Sequence, residues 1–561
     1  MGKAFIQNQP NHQIIPVGDH IANWLHEIGV TTVFGVISIH NMPILDAIYR
    51  QGKIRFVPAR GEAGAMNMAD AYARVSQGLG VVITSTGTAA GNAAGSQVEA
   101  LTACSPILHI TTQVDRMFSD RDRAAIHDVP RQPQMLNGIS KAVYRVWEGR
   151  QVLNMLSAGV SEALSSPSGP VVVEIPIDVQ REKLSSDSNL PLPSITMIQT
   201  PEIQFDKLAA FVKDSKRPML WLGGGAHQAT TEASELVKRG FAVVTSTHGR
   251  AIVSEINDAS LGAFNMTPEA QSIYQQCDLM IIVGSRLRGN ETLNNQMRLP
   301  EKRIQIDADA TQGARNYPVD LFIHADAKLA LKGLLDRIPQ KLSVDPSFLV
   351  KVKQAREQSE KVLLEKLGPY ATFAKILRHH VFKGKHPFVR DITLSNSIFG
   401  NRYVTLASPN LGVHALGGGI GQGNAMAIGA ALVKGYPKTV ALIGDGGAML
   451  SIGEWATAVE EKANIVFILM NDQGYGVIRN IQDAQYDGRH CYTLSVIPNF
   501  SLMASSVGMP YYKIDNIDEF DEIFSSALQK EGPILLEIDM VRIGPFAQAF
   551  SGPPAGAAGD K

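Results

Sequence analysis

Short apolar runs rich in β-branched residues recur along the chain, and the stretches between them carry helical periodicity. From Val17 to about residue 187 the runs are TTVFGV, IRFVPA, GVVITST, SPILHITT and GPVVVEIPIDV. Continuous apolar runs suit strands buried on both faces, and their alternation with helices predicts a parallel α/β sheet. The next stretch, SSDSNLPLPSITMIQTP at 185–201, is rich in Ser and Pro and lacks periodicity, as a surface linker does. A second series follows, PMLWLGGG, AVVTST, LMIIVGS and RIQIDAD, interleaved with helical segments such as TTEASELVKR and ending near Pro339. After a connecting segment at 341–368, a third series contains KTVALIGDGG, NIVFILMND and GPILLEIDM. The expected fold is α/β, with three doubly wound parallel-sheet domains at 1–186, 202–340 and 360–546. The Pro- and Gly-rich end, 547–561, is expected to be a flexible tail.

One motif occurs twice. Gly169-Pro170 leads through three valines to Glu174-Ile175, and Gly532-Pro533 leads through Ile-Leu-Leu to Glu537-Ile538. Gly-Pro before an apolar strand is ordinary punctuation, yet the echo suggests that the first and third units share a topology and flank a different middle one.

Composition narrows the class of partner. With 52 basic against 53 acidic residues in 561, nothing points to nucleic acid or to an anionic membrane surface, and a small molecule is the better expectation. No run of about 18 apolar residues occurs and the N-terminal MGKAFIQNQPNHQ has no apolar signal core, so a cytoplasmic protein is expected. Cys104, Cys277 and Cys491 are far apart and without CxxC spacing, which suggests core or boundary thiols.

The chemistry is most legible in the third unit. The strand TVALIG runs into Gly444-Asp445-Gly446-Gly447, and ligands in parallel α/β sheets sit at such carboxyl ends. Gly446 and Gly447 present no side chain to a phosphate, with a helix expected from Glu454. One strand on, NIVFILMN delivers Asn471, 26 residues after Asp445, so both oxygens emerge on one side of the sheet. Mg²⁺ takes oxygen ligands from one or two protein groups and from phosphates, which Asp445, Asn471 and the Gln473 backbone carbonyl would supply. The alternative is a tight turn at GDGG and a helix cap at Asn471.

The pair at this spacing resembles the GDG…N signature of the thiamine diphosphate enzymes, with Asp472 where many members have a second asparagine. Nearly the whole chain is similar to the acetolactate synthase-like branch of that family. The resemblance implies a pyrimidine-binding domain first, a middle transhydrogenase-like domain and a diphosphate-binding domain last, with thiamine diphosphate and Mg²⁺ as cofactors. It places Glu62, in RGEAGAMNMADAYAR, on the cofactor's aminopyrimidine ring, the alternative being a first-turn acid facing the helix dipole. A carboxyl that gives its proton to a ring nitrogen works best in apolar surroundings, and Ala63, Ala65 and Met66 are expected to provide them. Asn92 matches an asparagine near the pyrimidine site, although Thr88 replaces a common proline. In HALGGGIGQGNAMAIGAAL, Ile420 matches the apolar wedge beneath the cofactor and the Gly418 carbonyl the acceptor for its amino group. Gly444 to Gly447 and Asn471, Gln473, Gly474 and Tyr475 complete the implied cofactor contacts.

Near the reacting carbon the resemblance places His40, as in benzaldehyde lyase-like members, and Gln113, common to lyases and synthases, with Ile37, Ser38 and Ile481 lining the substrate pocket. His40 is equally readable as a structural histidine beside a helix cap. Two departures stand out. GSRLRGN lacks the Arg-Phe-Asp-Asp stretch that synthases use around flavin, so FAD is not expected, and Ile481 stands where synthases carry an acceptor-selecting tryptophan. WLGGGAH reads as a nucleotide cradle or a packing turn. The function implied is C–C bond lyase or carboligase chemistry on 2-oxo acids, aldehydes and acyloins through an enamine, in a homo-oligomer with a dimer as minimum and a tetramer expected. Decarboxylation or C–C hydrolysis, a flavin-linked oxidase, and a non-catalytic binding module are the alternatives.

Overall fold

The computed structural model describes residues 14–185, 190–491, 494 and 496–552. The chain divides into two compact units, one of Met1–Ala69 and Leu79–Thr196, the other of Asp70–Gly78 and Met197–Lys561.

The first unit is built on a six-stranded parallel sheet. Its strands are β2 (Thr32–Gly35), β3 (Arg55–Pro58), β4 (Gly80–Thr84), β5 (Ile107–Gln113), β6 (Ala142–Arg145) and β7 (Pro170–Pro176), in the order β3-β2-β4-β5-β7-β6. A small antiparallel pair, β1 (Ile14–Pro16) with β8 (Lys183–Ser185), joins the ends of the unit. Strands β4, β5 and β7 are buried along their whole length, which is why they read as continuous apolar runs.

The second unit carries two parallel sheets. The middle one has β9 (Pro218–Leu222), β10 (Ala242–Thr245), β11 (Leu279–Val283), β12 (Arg303–Asp307) and β13 (Leu321–His324), ordered β10-β9-β11-β12-β13. Alternation along β9 divides its side chains between two cores, Leu220 and Leu222 to one face and Met219 and Trp221 to the other. The last sheet has β14 (Phe388–Arg390), β15 (Gly412–His414), β16 (Thr439–Gly444), β17 (Ile465–Asn471), β18 (Tyr511–Ile514) and β19 (Ile534–Asp539), ordered β15-β14-β16-β17-β19-β18. That is the order of the first sheet, strand for strand, so the repeated Gly-Pro…Glu motif marks β7 and β19 of a duplicated topology.

Every strand expected from the sequence is present, and the fold is the expected α/β arrangement of three parallel sheets. Several details differ. The connecting segment is largely one helix, Pro346–Leu367, so residue 360 lies inside a helix. Cys491 is exposed rather than a core or boundary thiol. The segment 547–552 is tied down, because Gln548 N–H donates to the Lys366 carbonyl at 3.1 Å and Gln485 Nε2 to the Ser551 carbonyl at 2.9 Å. The rest of the expected tail, 553–561, and linker residues 186–189 lie outside the described residues. Among the described residues, no helix is long and apolar enough to cross a membrane.

Candidate active site

In the first unit the candidate residues gather at the carboxyl ends of β2 to β5. Glu62 opens the helix Glu62–Ser76 just after β3, half-buried, and its Oε2 accepts a hydrogen bond from Asn92 Nδ2 at 3.1 Å. Two residues singled out separately in the sequence are thus partners. Ala65 and Met66 are buried beside Glu62, whereas Ala63 is exposed and gives it no apolar cover.

His40 is buried, with Nδ1 within 3.5 Å of Ser85 Oγ and its ring edge-to-face with His127 at 5.3 Å. Burial, and next the proximity of His127, hold its imidazole below the ordinary range, against an opposing pull from Asp115. Asn41, the next residue, precedes the helix Met42–Gln51, so His40 stands beside the cap position and does not occupy it. Ser38 belongs to the same tight turn, its N–H donating to Asn41 Oδ1 at 2.8 Å and its hydroxyl accepting from His40 N–H at 3.2 Å, while Ile37 is exposed. Gln113 ends β5 fully buried, its Oε1 accepting from Thr86 Oγ1 at 3.0 Å and from Val114 N–H at 2.8 Å. Consecutive residues Ser85 and Thr86 therefore bring His40 and Gln113 onto one loop.

In the second unit β16 and β17 are paired so that Gly444 faces Met470, which leaves Asp445 and Asn471 adjacent just beyond. Both are buried. Asp445 Oδ2 accepts from Gly474 N–H at 2.8 Å, and Asn471 Oδ1 accepts from Gln473 N–H at 3.0 Å while its Nδ2 donates to Glu537 Oε1 at 2.8 Å. Gln473 has a left-handed backbone, φ 58°, which folds the loop back over Asp445. Burial, with the neighbouring Asp472 carboxylate adding to it, pushes the Asp445 carboxyl up to about 7. A buried carboxyl beside the partly buried Asp472, which itself has Arg479 3.6 Å away, is a charge arrangement that a bound cation relieves. Among the described residues no cluster of three or more His, Cys, Asp or Glu could hold a metal. One Asp, one Asn oxygen and a backbone carbonyl fit a hard oxygen-seeking ion that completes its shell from phosphate, as Mg²⁺ does.

The glycines also make room inside the protein. A Cβ at Gly446 would sit 2.6 Å from the Tyr475 ring, and one at Gly447 would sit 2.9 Å from an Asp391 carboxylate oxygen, so both leave room for neighbours inside the protein. The helix after the strand begins at Asp445 itself, Asp445–Leu450, ahead of the expected one at Glu454–Glu460. Gly418 has φ 83° and Ile420 is 41% exposed, an apolar side chain left uncovered by its own chain. The loop bearing them is clamped at Gly421, whose N–H donates to both Asp391 carboxylate oxygens at 3.1 Å and whose carbonyl accepts from Ser451 Oγ at 2.6 Å. Ile481 lines an apolar cavity of about 330 Å³ with Ile478, Gln482, Tyr486, Arg489 and Cys491.

Several residues here escaped the sequence reading: Asp391, Glu537 with its second donor Tyr511, and Thr86 and Gln132 beside Gln113. The Glu174/Glu537 echo was their one visible signal. In the middle sheet, a Cβ at Gly223 or Gly224 would strike the Gly284 carbonyl or the His248 ring, which favours the packing turn over a nucleotide cradle.

Three family models match consecutive parts of the chain: the N-terminal thiamine pyrophosphate-binding domain at residues 15–135, the central domain at 205–334 and the C-terminal thiamine pyrophosphate-binding domain at 395–538 of the thiamine pyrophosphate enzymes. These matches fall on the three parallel sheets. Among relatives, acetolactate synthase 3 of Brassica napus is 26% identical over 96% of this chain and 85% of its own length. The acetolactate synthase large subunit of Haemophilus influenzae is 28% identical over 90% of each, and the probable large subunit of Methanocaldococcus jannaschii 25% over 91% and 89%. The chain belongs to the thiamine diphosphate-dependent enzymes, in their acetolactate synthase-like branch.

Proposed function

We propose that the protein is a thiamine diphosphate- and Mg²⁺-dependent carboligase that joins or cleaves C–C bonds of 2-oxo acids and acyloins. The observation that carries this reading is the buried pair Asp445 and Asn471 at adjacent strand ends, with Asp472 beside them and an all-oxygen donor set. Asp445, Asn471 and the Gln473 carbonyl would hold the metal, and the loops at Gly444–Gly447 and Gly474–Tyr475 the diphosphate. Glu62, steadied by Asn92, would hold a proton toward the aminopyrimidine, with Ile420 and the Gly418 carbonyl shaping the bound form. The cofactor, when bound, supplies a carbon nucleophile for a carbonyl group and an electron sink for the broken C–C bond. Gln113 would orient the substrate carbonyl, and His40, its basicity lowered by burial, would move protons beside it. Ile37, Ser38 and Ile481 would line the pocket. Glu62 of one copy working with Asp445 of a second makes a homodimer the minimum active form, with a tetramer expected.

Purified enzyme with thiamine diphosphate, Mg²⁺ and pyruvate, with and without aldehydes or diketones, tests this by released CO₂ and by product analysis. Coupled acyloin is the expected product. Free aldehyde or acid with no coupled product would instead identify a decarboxylase or a C–C hydrolase, and a colourless protein that releases no flavin would count against an oxidase.

A further inference from the structure

The duplicated topology makes Gln113 and Asn471 equivalent. Each ends the seven-residue strand next to β7 or β19, and Thr111 faces Glu174 as Leu469 faces Glu537. In the last sheet the buried glutamate holds its strand-end amide directly. In the first sheet Glu174 is engaged elsewhere, accepting from Arg145 Nε on one oxygen and from Gln132 Nε2 at 2.7 Å on the other.

Gln132 passes the hold on. Its Nε2 also donates to the Thr112 carbonyl at 3.1 Å, and its Oε1 accepts from Gly87 N–H at 2.6 Å, with the Thr86 hydroxyl 3.1 Å away. A backbone N–H can only donate, so the atoms meeting Gly87 and Val114 are both side-chain oxygens, and the orientation of each amide is fixed. The Thr86 hydroxyl has a single proton. Gln132 Oε1 is already served by Gly87 and Gln113 Oε1 by Val114, so that proton is shared between the two oxygens, at 3.1 and 3.0 Å. Gln113 Nε2 then remains as a buried donor with no hydrogen-bond partner among the described residues. Burying such a donor unmatched is costly, so its retention calls for an explanation.

We propose that Gln132 is a positioning residue: through Thr86 and Gly87 it seats the Gln113 amide so that Nε2 is kept for a substrate oxygen. This rests on the reading above that Gln113 meets the substrate. Glu174, with Arg145, holds Gln132 in turn.

Crystal structures of Gln132→Leu and Thr86→Val holoenzymes, prepared with thiamine diphosphate and Mg²⁺, provide a readout independent of activity. Thr86→Val keeps the side-chain shape and guards against a Gln132→Leu chain that fails to fold. The expected result is a Gln113 amide that leaves its place at the end of β5 in both. With pyruvate, or whichever 2-oxo acid releases CO₂ in the test above, kcat falls about ten- to hundredfold while the affinity for thiamine diphosphate is unchanged. The Gln113→Leu/Thr86→Val double variant is no slower than Gln113→Leu alone. A Gln113 that stays in place, or penalties that add in full, overturns the positioning role and leaves the reading of Gln113 standing. A Gln113 that moves while Gln113→Leu keeps full turnover overturns both.

Discussion

The side-chain nitrogen of Asn471 donates to Oε1 of Glu537 at 2.8 Å, and the other Glu537 oxygen accepts from the Tyr511 hydroxyl at 2.7 Å. With Nδ2 engaged, the Asn471 amide cannot turn over, and its Oδ1 stays on the Gln473 N–H. Partners that orient a metal ligand commonly carry ten- to hundredfold in metal affinity. Glu537→Ala is therefore expected to weaken Mg²⁺ binding by about that factor, and Tyr511→Phe by less, because it removes one donor and leaves the Asn471 contact. Titration of Mg²⁺ into protein saturated with thiamine diphosphate measures it. Equal Mg²⁺ affinity in Glu537→Ala and wild type would show that the contact serves packing alone.

Glu62 and Asn92 give a second, graded test. If Glu62 holds a proton toward the cofactor, Glu62→Gln removes the acid while keeping the shape, and kcat should drop by at least about a hundredfold. Asn92→Ala removes only the 3.1 Å partner and should cost about tenfold or less. Steady-state kinetics on the donor that releases CO₂ decides between them. Full activity in Glu62→Gln would remove Glu62 from the mechanism.

How much of this was readable in advance follows from burial. Strands such as β5, β7, β17 and β19 are buried throughout and announce themselves as unbroken apolar runs. Half-buried or very short strands do not: β6 is half-buried along its length, β13 and β18 are buried at one residue each, and β14, although inside its sheet and fully buried, is three residues long. Motif residues such as Asp445 and Asn471 could be named because their spacing is a sequence property. Gln132 and Asp391 could not. Gln132 reaches Gly87 across 45 residues and Asp391 reaches Gly421 across 30, and nothing in their own neighbourhoods marks them as hubs. The Glu174/Glu537 echo was visible, but as punctuation of a topology, since the partners that give each glutamate its work lie on other elements.

Asp391 carries a pH signature. Its carboxyl is fully buried, and burial pushes it up to about 6 despite the backbone N–H groups of Ile392 and 421–423 that favour the anion. The folded chain thus holds this proton more tightly than an unfolded chain, where an ordinary aspartate releases it near 3.8. Ionised Asp391 costs stability above pH 6, by ~3 kcal/mol at most, and the cost is relieved as pH falls through 6 toward 3.8. The ionised form is also the one that grips Gly421 through charge-assisted bonds. Asp391→Asn should therefore flatten the rise in thermal stability between pH 7.5 and pH 5 relative to wild type. It should also speed amide exchange in 417–423 at pH 7.5. Parallel pH profiles for the two proteins, with unchanged exchange in that loop, would assign the titration to another group.

Gly446 makes a prediction that separates shape from phosphate binding. If its missing side chain serves the Tyr475 ring, as the 2.6 Å approach of a Cβ implies, then Gly446→Ala should lose about 1–3 kcal/mol of stability even without cofactor, as overpacked sites do. Shrinking the ring should give some of that back. Gly446→Ala/Tyr475→Leu is expected to be less destabilised than the sum of the two single variants, because the smaller residue at 475 opens space that the added methyl group fills. Denaturant unfolding of the four proteins in the absence of thiamine diphosphate and Mg²⁺ closes the cycle. Strict additivity would mean that the backbone, with the Gly474 carbonyl 3.3 Å from the added carbon, resists the substitution instead. A Gly446→Ala chain as stable as wild type that no longer binds thiamine diphosphate would show that the missing side chain serves the phosphate and not the ring.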